Sequence, residues 1–201
     1  MGWKLYSILY KPKNKTEKNL IKQIENSRKG IDYLKSGTTT FRDCMYPKEG
    51  FLYLGKYKDF LIVNEVNMSL DFFQEPASIG ERFWRTLSRN GQEVYCFVLD
   101  STTCMYGFAY LTNQRKLRCK YGTMDESVIL DIGAPLSIEQ AFYKKKNTAA
   151  LLEDGAIEWY QIGEDLVFYF FENLLGERIN LNAGLLDVDM TIYKEVGSDD
   201  F

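Results

Sequence analysis

Four strand-like segments, QEVYCFVLD, TCMYGFAYL, RKLRCKYG and SVILDI, follow one another between residues 92 and 132. The links between them are too short to hold a crossover helix, so neighbouring strands must run antiparallel. No other feature constrains the fold as tightly. Taking Asn113-Gln114 as a two-residue turn sets Phe108 opposite Cys119, Tyr106 opposite Tyr121 and Tyr110 opposite Leu117. Alternation then places Cys104, Tyr106, Phe108, Tyr110, Leu117, Cys119 and Tyr121 on one face. Lys116, Arg118 and Lys120 fall on the other, beside the small residues Gly107 and Ala109. One face reads as core and the other as an exposed basic surface. Cys104 falls opposite Thr123, about 13 Å from Cys119 at strand rise, too far for a disulfide. Both cysteines read as buried thiols, as in a reducing compartment.

Helical periods flank this run. Thr16 caps a segment ending at Lys29, with Leu20, Ile21 and Ile24 inward and Gly30 as its stop. Ser78 and Glu81 form a capping-box pattern ahead of Ile79, Phe83, Trp84 and Leu87, predicting a helix over 78–88. A second such pattern, Ser137 and Gln140, opens a short helix once Gly133-Ala134-Pro135 has ended the strand SVILDI. Over 164–175, Leu166, Val167, Phe170, Phe171, Leu174 and Leu175 make a continuous apolar stripe. Glu164 and Asp165 suit its positive end, and Gly176 its stop. WKLYSILY reads as a first strand, FLYLGKY and DFLIVNE as a hairpin around Tyr57 and Lys58, and residues 186–196 as a returning strand. Residues 30–50 are polar and Gly-containing and read as irregular. With no linker and no repeat, the expectation is an α+β fold: a mostly antiparallel sheet packed by several amphipathic helices, one domain over 1–201 with a polar tail at 197–201.

Several chemistries are excluded by what is missing. The chain has no histidine, which removes Ser-His-Asp and Cys-His catalysis and His-ligated zinc. Cys44, Cys96, Cys104 and Cys119 form no C-x-x-C pair, and neither common Gly-rich phosphate loop occurs. No cofactor, metal site or catalytic residue is expected. A net charge of −3 argues against a nucleic-acid partner. Lys11, Lys13, Lys15, Lys18 and Lys22, interrupted by Glu17, read as the polar face of a helix. The N-terminus lacks a signal peptide, no run spans a membrane, and Tyr6 stands where a myristoylation signal needs Ser or Thr. The expected location is cytoplasmic.

The remaining reading is a non-catalytic binding or interaction protein, of the immunity or antitoxin sort. Its Lys116, Arg118 and Lys120 face would meet an acidic protein partner. A plain solvated face is the simpler account of the same cations. The alternative is a hydrolase working through paired carboxylates, as glycosidases do, with Asp131, Glu139, Glu158 and Asp165 as candidates. The helix dipole accounts for Asp165 and the first turn of its helix for Glu139. Glu158 alternates with Ile157 and Trp159 as the polar side of a strand. Asp131, ending an apolar strand, is left over as a candidate polar pocket residue.

In their order along the chain these landmarks resemble a family of small uncharacterised bacterial proteins, a domain of unknown function. The resemblance rests on the M-G-x-K opening of MGWKLYSILY, on Tyr46-Pro47 before the second strand, and on the I-G-x-P segment of DIGAPLSIE. GEDLVFYFFENLLG is similar to the family's late helix. Ala134 departs from an acid that the family tends to carry between Gly and Pro. The resemblance implies a fold and no activity.

Overall fold

The computed structural model describes residues 2–13, 16–28, 31–74, 77–146, 148, 151–152, 154–179 and 184–197. In chain order the elements are β1 (Lys4–Lys11), α1 (Glu17–Ser27), β2 (Ile31–Thr40), α2 (Phe41–Cys44), β3 (Phe51–Tyr57), β4 (Phe60–Asn64) and α3 (Val66–Leu70). They continue with α4 (Ile79–Leu87), β5 (Glu93–Asp100), β6 (Met105–Thr112), β7 (Arg115–Thr123), β8 (Ser127–Ile132), α5 (Ser137–Lys146), α6 (Trp159–Leu175) and β9 (Asp189–Gly197). The nine strands form one sheet in the order β2-β9-β3-β4-β1-β5-β6-β7-β8, and every pairing is antiparallel. The fold is α+β.

Strand alternation sends apolar side chains to both faces of this sheet, so each face needs its own cover. Leu5, Leu9, Ile62, Phe97 and Phe108 meet α2, α5 and α6 on one side. Ile8, Leu61, Val63, Val94, Val98 and Leu111 meet α1, α3 and α4 on the other. Phe170 and Phe171 of α6 are fully buried. Their rings lie 4.6 Å from Phe108 and 4.8 Å from Phe97 between centroids. Contacts of this kind contribute beyond area burial alone.

Several expectations need correction. Residues 31–40 form the edge strand β2 and Phe41–Cys44 a short helix, where an irregular stretch was expected. β2 is held by β9, more than 150 residues later in the chain, through a bulge between Lys35 and Gly37. Such a strand draws its order from its partner and not from its own weak alternation. The late helix starts at Trp159, so Glu158 is its N-cap and not a strand residue: its backbone N–H donates to the Gln161 side chain at 2.7 Å. Glu164 and Asp165 accordingly sit in the second turn. The helix after Pro135 starts at Ser137, where Glu139, not the Ser137–Gln140 pair, closes the first turn by accepting the Leu136 N–H at 2.8 Å. The expected helix stop at Gly30 and the tail after Gly197 lie outside the described residues.

The most consequential correction is in the β6–β7 hairpin. Asn113-Gln114 is the turn, both residues with positive φ, and Thr112 pairs with Arg115 and Leu111 with Lys116 as expected. Leu117 then bulges out, and beyond it Tyr110 pairs with Arg118, Ala109 with Cys119, Phe108 with Lys120 and Tyr106 with Gly122. One extra residue turns every later side chain to the opposite face.

Candidate functional site

The bulge decides where the expected basic surface goes. Lys116 points to the α4 side of the sheet, whereas Arg118 and Lys120 point to the α5–α6 side. None of the three forms an exposed patch. Arg118 is 1% exposed and Lys120 9%, and the Lys116 side chain is 3% exposed. The expectation of a solvent-facing cationic strand is overturned.

Lys116 and Arg118 are each met by a carboxylate from the first turn of a helix, and Lys120 by Asp131 of β8. Lys116 Nζ lies 2.8 Å from Glu81 of α4 and donates to the Phe72 carbonyl at 2.9 Å. Arg118 grips Glu139 of α5 with two bonds, Nε to Oε2 and Nη2 to Oε1, both 2.9 Å. Its Nη1 donates to Asp131, to the Ile132 carbonyl at 3.1 Å and to the Gly133 carbonyl at 3.0 Å. Gly133 has φ of +82°, and a Cβ there would collide with the Leu117 carbonyl, so only glycine lets the chain pass this close. Lys120 lies 3.4 Å from Asp131 and over the rings of Trp159 at 4.9 Å and Tyr143 at 5.9 Å. The Gly-Ala-Pro stretch is therefore the joint of a strand and a helix, folded over an arginine clamp.

The four candidate carboxylates do not assemble into one site. Asp131 and Glu139 share the Arg118 guanidinium, but Glu139 is fully buried with both oxygens engaged. Glu158 accepts a hydrogen bond from Ser127 at 2.6 Å. Asp165 pairs with Lys146 at 2.9 Å and Arg178 at 3.2 Å. Glu139 thus has no oxygen left for a substrate, and a two-acid mechanism needs two carboxyl groups facing one bond. Among the described residues no three metal-ligating side chains come together, and no helix is long and apolar enough to cross a membrane.

The feature that sequence reasoning missed lies on the other face. A cleft of about 820 Å³ opens between the end of α1, the start of β2, α3 and α4. Ile31, Met68, Phe83 and Trp84 make its apolar walls, with Ile79 on the rim and 74% exposed. Arg28, Asp71, Gln74 and Ser78 are its polar groups. Arg28 donates to Tyr33 Oη at 3.0 Å and lies 3.8 Å from Glu65 and 3.9 Å from Glu195, so its charge is already answered. Asp71 is different. Half-buried, it forms no ion pair among the described residues. Desolvation pushes its carboxyl up from the ordinary aspartate value, the Ser78 hydroxyl and Arg28 opposing and Glu81 reinforcing the shift. Gly80, in the first turn of α4, makes room for it, since a Cβ there would strike the Asp71 carboxylate. Trp84 is fully buried, and its indole N–H has no acceptor among the described residues. An orphaned buried donor of this kind costs about 1–3 kcal/mol.

Sequence alone placed Trp84 on the apolar face of its helix, which is true, and gave no sign that Arg28, Asp71 and Trp84 converge. Their separation along the chain hides the site. Cleft and fold together define an antiparallel α+β protein with a helix-side pocket. Residues 11–161 match the family of unknown function DUF6928, and the chain belongs to that family. The matched span contains both the cleft and the arginine clamp. No curated protein and no solved structure matches the chain.

Proposed function

We propose that this is a non-catalytic, cytoplasmic binding protein whose ligand occupies the cleft between α1, α3 and α4. The observation that carries the reading is the cleft itself: apolar walls, a few convergent polar groups, and a buried Trp84 N–H without an acceptor among the described residues. Ligand sites are typically concave, mostly apolar and of this size. The four free thiols, three of them buried, suit a reducing setting. The interaction reading is thereby moved from the strand face, whose cations are consumed within the chain, to a small-molecule pocket. Catalysis through Asp131 and Glu139 finds less support, because Arg118 holds both.

The test is a small-molecule screen read by the Trp84 indole N–H resonance, assigned through Trp84→Phe. Binders should shift that resonance, raise the melting temperature, and lose both effects in Ser27→Trp, which fills the mouth. A screen whose binders all leave the Trp84 signal unmoved, or that yields none, would reject the cleft as the site.

A further inference from the structure

The charges around the cleft narrow the kind of ligand it takes. Among the described residues its lining cation, Arg28, lies within 4 Å of two carboxylates, Glu65 and Glu195. Its lining carboxylate, Asp71, has no cation paired with it among those residues. Glu81, which also faces Asp71 from α4, is spent on Lys116 and on Arg85, whose Nε donates to it at 2.6 Å. Among the described residues the charge left unanswered at the cleft is therefore negative. The aromatic wall points the same way. Phe83 and Trp84 stand edge to face at 5.1 Å, and ring faces attract cations through their quadrupole, most strongly where water is excluded. A carboxylate sharing a cleft with the half-buried Phe83 ring is a setting for an ammonium group, and the apolar walls suit a hydrocarbon body.

We infer that the cleft binds an organic amine, its ammonium against Asp71 and its apolar body along Ile31, Met68, Phe83 and Trp84. This rests on the cleft being the binding site. The raised Asp71 carboxyl agrees with it, because a half-buried acid with no ion pair among the described residues gains most from an incoming cation.

Three probes with the same eight-carbon chain separate the possibilities: octylamine, octanol and octanoate, each titrated into the full chain and followed by the Trp84 indole resonance. Octylamine should bind roughly ten-fold tighter than octanol, with octanoate weakest. Asp71→Asn should remove the preference for the amine and leave octanol unchanged. The comparison of head groups on the unsubstituted protein needs no variant, so it stands even if the substitution disturbs folding. If octanol or octanoate binds as tightly as octylamine, the amine assignment fails while the cleft stands as a binding site. If none of the three moves the Trp84 signal, both fall together.

Discussion

The arginine clamp and the cleft are both built where helices meet the sheet, and they treat polar atoms in opposite ways. Around Arg118 the charged groups are consumed: all three of its nitrogens are bonded, and Glu139 takes two of those bonds plus the Leu136 N–H. In the cleft two polar groups are left over: among the described residues Asp71 has no ion-pair partner and the Trp84 N–H no acceptor. A buried charge that is fully paired anchors one element on another. A buried polar group left unpaired is a cost to the fold, which a bound ligand can relieve. The difference separates the clamp from the proposed binding cleft more clearly than residue type does, since each contains an arginine and at least one carboxylate.

The sharpest way to break this comparison is at the clamp. Glu139→Ala leaves Arg118 buried with only the half-exposed Asp131 as its counter-charge and should cost about 3–5 kcal/mol in denaturant unfolding. A change within the noise of the measurement would mean that the clamp is not structural. Lys116→Met is a milder challenge on the other face. Glu81 keeps Arg85, so the loss should be about 1–3 kcal/mol; a loss as large as that of Glu139→Ala would show Lys116 to be a second anchor of equal weight.

The smallest effect, and the one of opposite sign, belongs to the cleft. The folded protein holds the Asp71 proton to higher pH than the unfolded chain does. Its carboxylate therefore destabilises the fold above the unfolded value and costs nothing below both values. Asp71→Asn should raise the melting temperature slightly at neutral pH, and the gain should fade as pH falls through the folded value towards the ordinary aspartate range. A lowered melting temperature at neutral pH would place an unrecognised partner on Asp71 and erase the contrast with the clamp.

What could be read from the sequence follows one physical rule: features written within a window of a few turns or strands are legible there. The strand run from residue 92, the Asn113-Gln114 turn, the Thr16 and Ser78 caps and the α6 stripe are all of this kind, because period and cap chemistry act locally. The tertiary structure decided the rest. The bulge at Leu117 is chosen because it lets Lys116 reach Glu81 on one face and Arg118 reach Glu139 on the other, and both glutamates sit on helices packed by distant contacts. A register that follows local alternation would have kept all three cations together. β2 likewise gains its strand from β9, and the cleft gains its chemistry from Arg28, Asp71 and Trp84, three residues whose proximity depends on α1, α3 and α4 sharing one face of the sheet. Local preference set the elements; long-range burial of charge set the register and left the Asp71 carboxylate without an ion pair among the described residues.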